Sequence, residues 1–138
     1  MPSDSTCIFC KIINKEIPAD ILYEDAHYLC FLDIHPISPG HALVIPKNHS
    51  RDILDAAPKD REGLLAVVAK VAPAILKGVH ATAFNIGINT GKPAGQVVFH
   101  THIHIIPRQD EDGLKSWDAH KIGIKELQLI RAGISPHL

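Results

Sequence analysis

Between residues 99 and 106 the chain reads Phe-His-Thr-His-Ile-His-Ile-Ile, and this alternation sharply limits what the segment can be. Side chains on a β-strand point to opposite faces in turn, so His100, His102 and His104 share one face while Thr101, Ile103 and Ile105 take the other. The chain therefore needs a sheet and a use for a row of imidazoles. Three uses are open: a polar, pH-sensitive surface strip, a metal site, or nucleophilic catalysis. At about 3.3 Å of rise per residue, His100 and His104 would stand about 13 Å apart, while zinc–nitrogen bonds are about 2.0–2.1 Å. One ion does not easily hold both, so the spacing favours divided labour. A neutral imidazole attacks phosphorus well when an acceptor holds its other nitrogen, and a neighbour on the same face can meet the charge that builds on the phosphoryl oxygens.

The rest of the chain supplies the sheet. Its 138 residues suit one domain, spanning residues 1–138, and 46% hydrophobic against 21% charged residues is ordinary for a folded protein. The net charge of −1 gives no reason to expect nucleic acid or an anionic membrane as partner. Residues 1–20 lack a signal-peptide core, and no apolar run is long enough to span a bilayer, so a cytoplasmic protein is the expectation. Three cysteines, an odd number, fit a reducing compartment. Ten histidines against 14 Lys plus Arg are a high share and point to a chemical site.

Residues 7–15 have helical spacing, ended by Pro18. Residues 21–24, 27–33 and 41–46 read as strands, with a Pro- and Gly-rich loop at 36–40. Residues 52–79 read as the long helical region, with Leu64, Val67, Val68, Val71, Ile75 and Leu76 on one face. Pro58 marks a start there, and Pro73 is expected to kink or break the helix. Residues 83–89 and 97–107 are the last strands, and residues 121–134 are weakly helical. Short connections between strands favour antiparallel pairing, so the expected class is α+β.

His100-Thr101-His102-Ile103-His104-Ile105-Ile106 resembles the signature of the histidine-triad nucleotide-binding family. Ile8-Phe9-Cys10-Lys11-Ile12-Ile13, Phe31-Leu32-Asp33-Ile34, Gly40 to Lys47 and Gly95-Gln96 also fall where the family pattern wants them, so the resemblance covers about residues 7–108. It implies a five-stranded antiparallel sheet with a short N-terminal helix and one long helix, the sheets joining across a homodimer. Residues 109–138 stand outside it as an extension.

The resemblance also implies roles. His102 matches the nucleophile, His104 the residue that contacts α-phosphate oxygens, and His41 a fourth histidine that supports them. Asp33 matches the carboxylate that takes both ribose hydroxyls, although alone it reads equally as a turn residue. Ile8, Phe9, Ile12, Phe31 and Ile34 match the walls of a base pocket. Asn89, Gly95, Gln96, Val97 and Val98 match the phosphate side, where backbone N–H groups can bind an anion. Two positions depart: Thr101 stands at an apolar position, and Val97 replaces the serine of one branch, so a hydroxyl contact there is lost.

Cys7 and Cys10 resemble the zinc pair of some bacterial members, completed by His49 and His100. Two packed thiols are the plain alternative, and Cys30 has no partner in this scheme. Together these features imply an enzyme that cleaves purine nucleotide derivatives at the α-phosphate through a nucleotidyl-histidine and releases adenosine or guanosine monophosphate. Adenosine phosphoramidate and dinucleoside polyphosphates are both candidate substrates. A purine-nucleotide-binding or scaffold protein without catalysis is the alternative, and a metal-dependent oxygenase a more distant one.

Overall fold

A computed structural model describes residues 3–138. Its elements run α1 (Ile8–Ile13), β1 (Ile21–Glu24), β2 (Tyr28–Leu32), β3 (Ala42–Pro46), α2 (Pro58–Glu62), α3 (Leu64–Val79), β4 (Ala83–Gly87), β5 (Ile103–Arg108) and α4 (Ile124–Ile134). The five strands form one antiparallel sheet in the order β1-β2-β3-β5-β4. The α+β arrangement expected from the sequence is the one observed.

The sheet is buried on both faces at its centre, which explains why β2 and β3 read as unbroken apolar runs. One face sends Tyr28, Cys30, Ala42, Val44, Ile103 and Ile105 against Leu64, Val67, Val68, Val71 and Ile75 of α3. The opposite face sends Leu29, Phe31, Leu43 and Ile45 against Phe9, Cys10 and Ile12 of α1 and Cys7, which caps it. His104 pairs in register with Leu43 of β3, so it belongs to the α1 face. The large helix thus covers the centre of one side, leaving β4 open at the edge, and the small helix covers only part of the other. The histidines occupy the remainder.

Three expectations need correction. The long helical region begins at Pro58 rather than Asp52, and it is divided at Gly63. A Cβ on Gly63 would collide with the Tyr28 hydroxyl, which donates to the carbonyls of Asp60 (2.8 Å) and Lys59 (3.1 Å). The division is therefore imposed by a side chain on β2. Pro73 does not break α3, which continues to Val79. Pro73 and Ala69 both face outward, so the carbonyl that loses its partner at Pro73 can be hydrated. The last strand starts at Ile103 rather than Val97, for a reason given below.

At the sheet edge, β4 leaves Phe84 and Ile86 exposed, and every residue of α4 is exposed. No helix among the described residues is long and apolar enough to cross a membrane.

Candidate active site

The histidine segment is only partly a strand. Thr101 turns inward, where its N–H donates to the Ser50 carbonyl (2.9 Å) and its hydroxyl lies 2.7 Å from that of Ser50. These bonds replace the sheet ladder, so residues 97–102 approach β5 as an irregular segment. Thr101 is buried and holds the segment to the loop after β3, so the hydroxyl that departs from the apolar pattern has a structural use. The same turn sends His100 and His102 to separate neighbourhoods.

The His100 ring is wholly buried beside α1. Its Nε2–H donates to the Pro46 carbonyl (2.8 Å), which leaves the Nδ1 lone pair facing Cys7 Sγ (3.4 Å), Cys10 Sγ (3.6 Å) and His49 Nδ1 (3.2 Å). His49 Nδ1 also lies 3.4 Å from Cys10 Sγ. A tetrahedral ion with zinc–sulfur bonds of about 2.3 Å and zinc–nitrogen bonds of about 2.0–2.1 Å sets its donors about 3.3–3.8 Å apart. The donor pairs just given lie at or close to that spacing, and all four donors lie within 4.8 Å of one another. Burial pushes the Cys7 thiol up in pKa. Two thiols and two imidazoles grouped this way are able to hold a metal ion, and the donor set suits zinc. Cys30 lies on the other face of the sheet, and burial pushes its thiol to about 12.

The other histidines have fixed tautomers. His102 Nδ1 lies 2.6 Å from the His100 carbonyl, an acceptor only, so the proton sits on Nδ1 and the lone pair on Nε2. The Ile37 N–H donates to His41 Nδ1 (3.0 Å), so neutral His41 carries its proton on Nε2, 2.9 Å from His104 Nδ1. His104 must then accept there and keep a donor at Nε2. Asp33 Oδ2 stands 3.6 Å from His41 Nε2 and completes the row. Asp33, His41 and His104 are close enough to suggest a second metal site, but a protonated Nε2 on His41 offers no lone pair for one.

Burial pushes His104 down to about 4, aided by the neighbouring His102 and His41, with Asp33 opposing. Burial also lowers His102, against the opposing pull of the His100 carbonyl and Asp33. Both rings are neutral at pH 7. A reaction that needs the free Nε2 of His102 should therefore show kcat/KM level from pH 8 down to about 6.5, the ordinary histidine value, and falling only below it. An acid limb with its midpoint above that value contradicts this assignment.

His102 and His104 line a cavity of about 470 Å³ between the sheet and α1. Ile8, Phe9, Ile12, Phe31 and Ile34 form its apolar part, as the sequence led us to expect. Phe9 anchors it, meeting Phe31 (5.4 Å between centroids) and His102 (5.3 Å) edge to face. Asp33 also faces the cavity while its Oδ1 accepts from the His35 N–H (2.9 Å), so it is both a turn residue and a free acceptor. Asn89, Gly95, Val97 and Val98 line the opposite side.

Gln96 differs from expectation. Its side chain is buried, accepting from Gly91 N–H (2.9 Å) and donating to the carbonyls of Arg51 (2.7 Å) and Val98 (3.1 Å). The N–H groups of Gly95 and Gln96 are also taken, by the carbonyls of Lys92 and Gly91. The N–H groups of Val97 and Val98 have no partner among the described residues, as is also true of Thr90, Phe99 and His100 in the same segment. Sequence reading missed Ile17, Pro18, Ala19, Leu32, His35 and Leu43 in the cavity wall. Pro18 carries a visible helix-stop signal, but nothing in it marks a wall residue.

Comparison with known proteins agrees with this geometry. Residues 14–111 match the HIT domain family model. The chain is 43% identical over 123 residues to the adenylylsulfatase HINT3 of Arabidopsis thaliana, covering 89% of this chain but only 61% of that protein. A crystal structure of a HIT family protein from Bacillus anthracis superposes with a TM-score of 0.85 at 41% identity, covering 99% of each chain. A zinc-bound histidine triad family protein from Mycobacterium smegmatis superposes with a TM-score of 0.76 at 41% identity, covering 95% of this chain and 94% of that one. With the triad segment, its buried supporting histidine and the cavity in place on this sheet, the chain belongs to the HIT domain family.

Proposed function

We propose that the protein is a nucleotide hydrolase that cleaves at the α-phosphate through a nucleotidyl-histidine on His102. The observation that carries this reading is the 2.6 Å contact from His102 Nδ1 to the His100 carbonyl, which leaves Nε2 unprotonated at the cavity wall. The base would lie among Ile8, Phe9, Ile12, Phe31 and Ile34, with Asp33 accepting from the ribose hydroxyls. His104 Nε2–H and the N–H groups of Val97 and Val98 would meet the phosphoryl oxygens, with Asn89 beside them. His41 acts through His104 by holding its donor outward.

In the first step Nε2 of His102 bonds to the α-phosphorus and the bond to the leaving group breaks, its electron pair departing with that group. A phosphate or sulfate leaves as the anion, and an amine takes up a proton from solvent as it departs. The positive charge on the ring is spread towards the His100 carbonyl through Nδ1–H. In the second step water adds to the phosphorus and gives up a proton to solvent, the nitrogen–phosphorus bond breaks with its electron pair returning to Nε2, and a nucleoside monophosphate is released. Val97 offers only its backbone here, so no side-chain hydroxyl assists departure. Zinc held by Cys7, Cys10, His49 and His100 would be structural, since a full set of four protein donors leaves no position for water. The unpaired edge of β4 and the exposed α4 are the surfaces through which two copies would join as a homodimer.

The test is release of adenosine monophosphate from adenosine 5′-phosphoramidate, diadenosine tetraphosphate and adenylyl sulfate. The last is suggested by the name of the Arabidopsis relative. Release from at least one is expected. Tight monophosphate binding with no release from any would favour a binding or scaffold role.

A further inference from the structure

The loop between β2 and β3 sets Asp33 and His41 side by side. Asp33 follows the last residue of β2 and His41 precedes the first of β3, and the Asp33 N–H donates to the His41 carbonyl (2.9 Å). Inside the loop, two backbone donors are used on these two side chains. The His35 N–H holds Oδ1 of Asp33 (2.9 Å), and the Ile37 N–H holds Nδ1 of His41 (3.0 Å). The Ser38 hydroxyl ties the loop to β5 by donating to the Pro107 carbonyl (2.7 Å). Each side chain thus has one polar atom fixed by backbone and the other turned to its neighbour, with Oδ2 of Asp33 3.6 Å from Nε2 of His41.

His41 Nε2–H donates to His104 Nδ1 at 2.9 Å, and at 3.6 Å the carboxylate is too far to take that hydrogen for itself. Its effect is on which nitrogen carries the hydrogen. A negative charge beside Nε2 favours the tautomer protonated there over the one protonated on Nδ1. His104 is then held as an acceptor at Nδ1 and keeps its own hydrogen on Nε2. Asp33 is the one carboxylate in the cavity wall among the described residues. Burial lowers both His41 and His104, and Asp33 opposes it at each. The Asp33 side chain is 19% exposed against 2% for His41, so it meets both a ligand and the buried ring.

Resting on the hydrolase reading above, we propose that Asp33 is a positioning residue for the phosphate donor as well as a ribose acceptor, fixing the Nε2–H of His104 through His41. The two duties are compatible, because each carboxylate oxygen accepts more than one hydrogen bond. An amide is not equivalent. Asparagine has one acceptor oxygen, whereas this loop needs an acceptor at the His35 N–H and another beside His41 Nε2–H. Whichever way the amide turns, its NH2 group meets one of those hydrogens, and the charge that favours the His41 tautomer is gone.

A substrate without ribose hydroxyls separates this duty from ribose binding. On 2′,3′-dideoxyadenosine 5′-phosphoramidate, Asp33→Asn is expected to lower kcat by about tenfold or more and to change KM only a few-fold. A carboxylate that served the ribose alone would have nothing to lose there. In a His41→Ala background the same substitution should add no further loss. A second readout needs no turnover: NMR of protein carrying isotope-labelled histidine reads which nitrogen of each ring bears hydrogen. Wild type should show Nε2–H on both His41 and His104, and Asp33→Asn, with its melting temperature checked, should populate the Nδ1–H form of both. Equal kcat on the dideoxy substrate, or identical tautomers in the two proteins, would overturn the role while leaving the ribose contact standing. If wild type releases nothing from the dideoxy substrate, the tautomers decide alone. Release from none of the three nucleotides named above would instead remove the hydrolase reading.

Discussion

Replacing His102 by alanine is expected to lower kcat by about 10⁴-fold or more while changing monophosphate affinity only a few-fold. The size follows from the role. The alternative to covalent catalysis is direct attack by water, and nothing else in the cavity offers an unprotonated nitrogen with its tautomer fixed by a backbone carbonyl. Binding should survive because the apolar wall, Asp33 and the N–H groups of Val97 and Val98 are untouched. His104→Ala should cost less, about 10²–10³-fold, since it removes one donor to the developing charge and not the attacking atom. Single-turnover release of monophosphate measures both. A His102→Ala protein that turns over within tenfold of wild type would refute covalent catalysis.

Loss of the Cys2His2 centre is expected to lower the melting temperature by about 10–15 °C, from about 4 kcal/mol of linked metal binding. The centre joins α1, through Cys7 and Cys10, to the loop after β3, through His49, and to the segment before β5, through His100. These pieces are distant in the chain, and α1 alone is too short to be stable. The effect should extend to catalysis, because the backbone carbonyl of His100 fixes the tautomer of His102. A kcat lower by about tenfold or more on removing the metal is the expected companion result. Chelation with thermal melting, and Cys7→Ser with Cys10→Ser, are the two measurements. If chelation moves neither the melting temperature nor kcat, and the purified protein carries no zinc, the cysteines are only packed thiols.

Much of the site was legible in the sequence because it depends on residue type and order. The apolar runs at 28–32 and 42–46 read as strands and the period of 64–76 as one helix face, and the structure packs that face against the sheet they form. Strand rise led us to expect divided labour among the histidines, and the resemblance put His100 with the cysteines. His100 does lie there while His102 and His104 face the cavity, although the turn at Thr101 and not an extended strand separates them. What the sequence hid depends on contacts between distant segments. The late start of β5 comes from Thr101 bonding to Ser50 instead of to a strand. The break at Gly63 comes from the approach of Tyr28, which no local pattern records. Gln96 looked like a ligand residue, but its side-chain carbonyl and amide brace its own loop at Gly91 and tie it to the Arg51 carbonyl. The segment after β5, at 109–117, matched no familiar pattern, and its anchor, Arg108 on Asp112, became visible only in three dimensions.

The covalent intermediate is the most direct test of the central claim. Wild-type protein would be mixed with adenosine phosphoramidate or diadenosine tetraphosphate, quenched under alkaline denaturing conditions within one turnover, digested, and examined by mass spectrometry. The proposed mechanism predicts an adenylyl group on the peptide containing His102, located at that residue and absent from His102→Ala protein. Monophosphate release without any adenylylated peptide, or the adenylyl group on another residue, would contradict it.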